Sequence, residues 1–291
     1  MANLKRQSIL EARTRLEGLQ GAEQMREAIQ LMHTSRDLEI VQHAIKVLGA
    51  MESPDTRDDL LTKYEWCQAQ PHKRDGGAFI RSAILRALRP VSAPDDAALF
   101  QQAMLTYELD GPTEVCADLR AAGLLAMNDV NPDLAANFAA RFVLDSQFTF
   151  SGEPATTAMA LLASHGNLAP IFGVVSWGKG RNDVLAEGLR NLIELPAELL
   201  PILVDQYIEN EDEQIILGLF DLLLGHPSRD TWVGTMERWL RTTTVMDLYG
   251  IVAIQLVGSR SETLITMLRR LREEEFDRLR QGMLDQALAL A

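Results

Sequence analysis

Small and apolar residues recur at i, i+3, i+4 and i+7 in six successive segments. These are Val41-Ala44-Ile45-Leu48, Ile80-Ala83-Ile84-Ala87, Leu119-Ala122-Gly123-Ala126, Ala155-Ala158-Met159-Leu162, Leu185-Gly188-Leu189-Leu192 and Ile215-Gly218-Leu219-Leu222. That spacing draws one buried stripe along an α-helix, and alanine or glycine at its second position lets a neighbouring helix come close. Turn chemistry follows most of the stripes. Ser53-Pro54-Asp55, Ala93-Pro94-Asp95 and Asn131-Pro132-Asp133 share an x-Pro-Asp form, with looser versions at Pro196-Ala197-Glu198 and Pro227-Ser228-Arg229-Asp230. Proline suits the first turn of a helix, where its missing N–H would be unpaired anyway, and a carboxylate there meets the positive end of the helix dipole. Each motif therefore predicts a tight turn that opens a second helix.

The second helices are expected to end in an aromatic that closes an apolar stripe: Tyr64, Tyr107, Phe142, Trp177, Tyr207 and Trp239. Their phase makes them core residues rather than a ligand ladder. Two joints depart from the pattern: Gly166-Asn167, with Pro170 inside the helix that follows, and Gly258-Ser259, which lacks proline. Two amphipathic helices, Leu4 to Leu19 and Ala22 to His33, precede the first pair. No β pattern of alternating apolar and polar residues competes, so the expected class is all-α.

Helix pairs repeating with a Pro-Asp turn resemble the HEAT and armadillo-like α-solenoid family, over about Arg36 to Glu275. The Trp-x2-Leu-Gly signature of tetratricopeptide repeats is missing. The resemblance implies a right-handed α-solenoid of antiparallel helix pairs in a single domain. Residues 1–35 would form the N-terminal helices, 36–258 the repeats and 259–291 a cap. Stacked pairs make a curved surface whose inner face is lined by second helices and binds extended partners. The resemblance accordingly implies an elongated, non-catalytic protein-binding scaffold or adaptor. Relatives of this fold that are enzymes, acting on alkylated DNA or on tetrapyrrole chromophores, supply the alternative.

Composition and charge narrow that choice. The chain has 291 residues, 47% hydrophobic and 24% charged, with a formal net charge of −13. Between Pro90 and Ser228 stand 20 acidic residues against 5 basic ones, a net of −15 in the middle repeats. A groove so charged repels phosphate, so no duplex DNA partner is expected. Arg57, Lys63, Lys73, Arg74, Arg81, Arg86 and Arg89 make a basic stretch nearer the N-terminus, expected as a snorkelling, solvated face. Much of the acidity, at Asp95, Asp96, Asp133, Glu153, Asp183 and Glu198, complements helix starts. The loop Glu209-Asn210-Glu211-Asp212-Glu213 concentrates four carboxylates and could receive a basic segment of a protein partner.

Catalytic and metal motifs do not emerge. His33, His43, His72, His165 and His226 form no HxxxH or HExxH, the acidic loop lacks calcium-site spacing, and Gly-x-Ser-x-Gly and the phosphate-cradling loop do not occur. Neither metal nor cofactor is expected. Cys67 and Cys116, on different helices and without CxxC spacing, are expected as reduced, packed thiols. The opening Met1-Ala-Asn-Leu-Lys-Arg has no apolar core of a secretory signal, and no uncharged apolar run approaches the ~18–20 residues that span a bilayer. A cytoplasmic protein without membrane contact is the expectation.

One polar row stands out. Immediately before the six aromatics come Lys63, Thr106, Arg141, Ser176, Gln206 and Arg238. A step of about 100° back along a helix leads from the buried stripe toward its exposed edge. With Asp59, Gln102 and Asn137 one turn earlier, this row is the candidate inner, partner-binding surface, set against the reading of ordinary solvated residues.

Overall fold

The computed structural model describes residues 2–145, 149 and 151–291, the side chains of residues 2–5 and 8 excepted. The chain divides into two compact units, Met1–Leu161 and Leu162–Ala291. In the first, α1 (Ala2–Glu17) and α2 (Gly21–Thr34) precede α3 (Leu38–Ala50), α4 (Arg57–Ala69), the short α5 (Pro71–Arg74), α6 (Phe79–Leu88) and α7 (Ala97–Met104). A hairpin of β1 (Leu109–Asp110) and β2 (Thr113–Glu114) leads to α8 (Ala117–Val130) and α9 (Pro132–Phe142), and α10 (Ala155–Ser164) begins in this unit and ends in the second. The second unit holds α11 (Ala169–Trp177), α12 (Asn182–Arg190), α13 (Leu200–Tyr207), α14 (Glu213–Gly225), α15 (Val233–Thr242), α16 (Met246–Gly258), α17 (Glu262–Glu274) and α18 (Arg278–Leu288). The class is all-α, and among the described residues no helix is long and apolar enough to cross a membrane.

The six stripes are buried, Ala83 alone being half-buried. Their helices pack in series: α3 on α6 and α6 on α8 in the first unit, α12 on α14 and α14 on α16 in the second. Glycine is required at two of these crossings. A Cβ on Gly49 would stand 2.9 Å from Ala87 Cα, and one on Gly218 would stand 2.7 Å from the Ala186 carbonyl oxygen. Only a hydrogen atom fits between backbones so close.

The x-Pro-Asp motifs do open helices. Pro54–Thr56 and Pro94–Asp96 are single 3-10 turns leading directly into α4 and α7, and Pro132 begins α9. Ser53 Oγ accepts the Asp55 N–H at 3.4 Å, Asp96 Oδ2 accepts the Ala93 N–H at 2.8 Å, and Asn131 Oδ1 accepts the Leu134 N–H at 3.1 Å. These caps satisfy donors that helix starts leave open. Pro170 likewise lies in the first turn of α11, where it costs no helical hydrogen bond.

Side chains then tie one pair to the next at separations of 30 to 40 residues. In the first unit Arg57 Nη2 reaches Asp96 Oδ1 (2.5 Å) and Arg89 Nε reaches Asp129 Oδ2 (2.6 Å). In the second, Asp221 accepts from Arg190 Nε and from Gln255 Nε2, both at 2.9 Å, and Tyr207 Oη donates to the Val175 carbonyl at 2.5 Å. The His226 ring accepts the Ser228 N–H at Nδ1 (2.9 Å), so its Nε2–H donates to the Leu195 carbonyl (2.7 Å).

Three expectations are corrected. Tyr107 and Trp177 are 45% and 57% exposed, whereas Tyr64, Phe142, Tyr207 and Trp239 are buried as the phase requires. The chain leaves α7 at Met104, so Tyr107 lies on no helix. Trp177 is the last residue of α11, ahead of the left-handed Gly178 (φ 67°), and its ring lies along the surface under Lys179 Nζ at 5.4 Å. Lastly, the hairpin is strand that the sequence reading did not expect, its strands joined across Gly111-Pro112, where Gly111 has φ 60°.

Candidate functional site

The hairpin positions a buried ionic core. Arg81 of α6 and Arg120 of α8 are 2% and 0% exposed. Arg81 donates through Nε to Asp75 Oδ2 (2.9 Å) and through Nη1 and Nη2 to the two oxygens of Glu108 (2.7 and 3.0 Å). Asp75 also caps α6, accepting the N–H groups of Ile80 (2.7 Å) and Arg81 (3.0 Å). Arg120 holds both oxygens of Glu114 and one of Asp145, and its guanidinium lies 4.1 Å from the Tyr107 ring centroid. Tyr107 Oη donates to Asp145 Oδ2 at 2.6 Å.

Burial pulls the Arg81 pKa down, but its hydrogen bonds to Glu108 and Asp75 outweigh that and hold it above the usual value. Burial pushes the Glu114 carboxyl up in spite of Arg120. Every ion in this core faces a counter-ion, so its chemistry is structural. Arg81 is thus no part of a solvated basic face, and Arg57 and Arg89 of the same stretch are the inter-pair ties described above. The acids they neutralise lie far along the chain.

Cys67 and Cys116 are buried and unpaired by disulfide. Desolvation pushes their thiols up to about 11 and about 12. At pH 8 neither is expected to react with a disulfide reagent in the native protein, and both are expected to react in denaturant. Because their folded values exceed the unfolded ~8.5, the stability they contribute is full below that value and is lost as pH rises through about 11 and about 12. A loss of stability between neutral pH and pH 8 would contradict this window for the thiols.

The six residues of the polar row are distributed unequally. Arg141, Gln206 and Arg238 are exposed on α9, α13 and α15; Ser176 is half-buried on α11; Thr106 is half-buried beyond the end of α7. Lys63 is only 4% exposed, a correction to the rotation argument. Its helix edge is covered by the segment that includes α5, where Arg74 Nη1 bonds the Trp66 carbonyl at 2.7 Å. Of the flanking residues, Asp59 pairs with His33 Nε2 at 3.3 Å, while Gln102 and Asn137 are exposed.

The acidic loop separates into two roles. Asp212 caps α14, its Oδ1 accepting the N–H groups of Gln214 (3.0 Å) and Ile215 (3.2 Å) while Oδ2 takes Asn182 Nδ2 at 2.7 Å; Glu213 starts the helix. Glu209 and Glu211 are exposed, and their side chains make no ion pair or hydrogen bond among the described residues. They line a groove of about 310 Å³ together with Thr242, Thr243, Thr244, Val245, Trp239 and Leu248. Arg280 is bonded to the Arg241 carbonyl at 3.2 Å and also to that of Thr243.

A cavity of about 670 Å³ lies beside the hairpin, its lining including the apolar Phe79 and Leu109 and the polar His72, Asp110 and Asp118. The Glu114 carboxylate on its wall is committed to Arg120. Among the described residues no three His, Cys, Asp or Glu side chains converge as a metal site. Sequence reasoning missed the hairpin acids Glu108 and Glu114, although Asp110-Gly111 is a hairpin-turn signal. Comparison with protein-family models and with curated proteins finds no match to this chain.

Proposed function

We propose that the protein is a non-catalytic docking scaffold, built of HEAT-like helix pairs, whose groove beside the α13–α14 loop receives a basic segment of a protein partner. The observation that carries this reading is the pair Glu209 and Glu211: exposed, without counter-ions among the described residues, and set in the lining of a groove. Carboxylates at a rim steer a cationic chain, and Val245, 39% exposed in the same groove, gives its side chains apolar area to cover. Threonine hydroxyls in the lining offer donors and acceptors to an extended backbone. The ties at 30 to 40 residues support repeated pairs within each unit as the scaffold.

Affinity capture followed by mass spectrometry, comparing the wild type with the Glu209→Gln/Glu211→Gln variant, tests the proposal. Both positions are exposed, so stability should change by less than about 0.5 kcal/mol. A partner bound through a Lys/Arg-rich segment should be lost at least tenfold. Equal recovery by both forms, or a bound segment that is acidic, would refute the groove as the docking site.

A further inference from the structure

Lys63 is a largely buried cation of the first unit that is in no ion pair among the described residues. It is 4% exposed, makes no hydrogen bond among the described residues either, and places Nζ 4.3 Å from the Trp66 ring centroid. Buried ammonium groups are normally paired, because desolvation without compensation is costly. Lys63 instead lines a cavity of about 360 Å³ between the α2–α3 loop and the α4–α5 corner.

The rest of the wall repeats the imbalance. Arg36 and Lys73 are exposed there and form no ion pair among the described residues. Arg74 stands 4.6 Å over the same indole and spends one nitrogen on the Trp66 carbonyl. Asp75, the acid on this wall, is already held by Arg81 and by two backbone N–H groups. Four cations therefore converge on one concavity, in a chain whose net charge is −13.

We propose that this cavity is a binding site for a small molecule bearing a diphosphate group. Two guanidinium forks match phosphoryl oxygens in geometry, and two ammonium groups supply compact charge between them. Four cations suit more than the single charge of a carboxylate, and a half-open concavity of about 360 Å³ is too small for a duplex, which needs a long track of phosphate contacts. Leu38, Val41 and Ile80 give the non-phosphate part an apolar wall. Burial lowers the Lys63 pKa, and a bound polyanion would restore it. The site lies in the first unit and stands independently of the docking groove in the second.

Inorganic pyrophosphate is the probe, titrated calorimetrically into the full-length protein at constant ionic strength. Binding in the submillimolar range is expected, weakened at least tenfold in Arg36→Ala/Lys73→Ala, whose residues are exposed and whose fold should survive. Lys63→Met, which keeps the stem in place, should abolish binding while circular dichroism stays unchanged. No heat at 10 mM pyrophosphate, an affinity indifferent to the Arg36 and Lys73 changes, or an equal response to chloride at the same ionic strength would each overturn the proposal.

Discussion

Replacing Arg120 by alanine is expected to lower the stability of the protein by about 3–5 kcal/mol, a large share of the ~5–15 kcal/mol that holds a typical domain together. The guanidinium is fully buried and answers both oxygens of Glu114 and one of Asp145. Its removal leaves the Glu114 carboxylate, 5% exposed, without a counter-ion. The pH dependence follows from the same geometry. Burial already raises the Glu114 carboxyl, and loss of Arg120 raises it further. A carboxyl raised above its unfolded ~4.3 contributes stability that is full below that value and lost as pH rises through the folded one. The loss in Arg120→Ala should therefore be larger at pH 8 than at pH 5, as read from urea-unfolding midpoints. Combining Arg120→Met with Glu114→Leu, which removes both buried charges, should recover most of it. Equal losses at the two pH values would show that packing, and not the stranded carboxylate, dominates.

Trp239→Ala should cost about 3–5 kcal/mol, because the ring is 7% exposed and meets Phe220 edge-on, with centroids 5.0 Å apart at 63°. Arg238→Ala, one residue earlier, should cost under ~1 kcal/mol, since it is exposed and is in no ion pair among the described residues. Thermal melts of the two variants separate the packing row from the solvent row. Should Arg238→Ala melt the protein while Trp239→Ala leaves it intact, the helical phase assigned to α15 is reversed.

What the sequence showed plainly is what neighbouring residues decide among themselves. The stripe Ile215-Gly218-Leu219-Leu222 declares a helix face, and the Asn131-Pro132-Asp133 turn caps its own helix. Arg81 is different. Its partners lie 6 and 27 residues away, on a loop and beside a hairpin, so nothing local distinguishes it from a solvated arginine. Two-residue strands are likewise too short to show alternation. Lys63 misled for a related reason: a rotation about one helix axis predicts an exposed edge, but not what a later segment lays over it. The free pair Glu209 and Glu211 could be located in the sequence, whereas the division from Asp212 and Glu213 required the start of α14.

Asp221 is the acceptor shared by Arg190 of α12 and Gln255 of α16. A chain of helices joined only by apolar contact can fray one member at a time, since each interface contributes its own increment. One carboxylate bonded on both sides makes the two interfaces interdependent: losing α16 frees an oxygen of Asp221 and loosens the grip on Arg190. Local opening of unit 2 from the C-terminal end that takes α16 with it must therefore break a bond to the carboxylate that also holds Arg190 of α12.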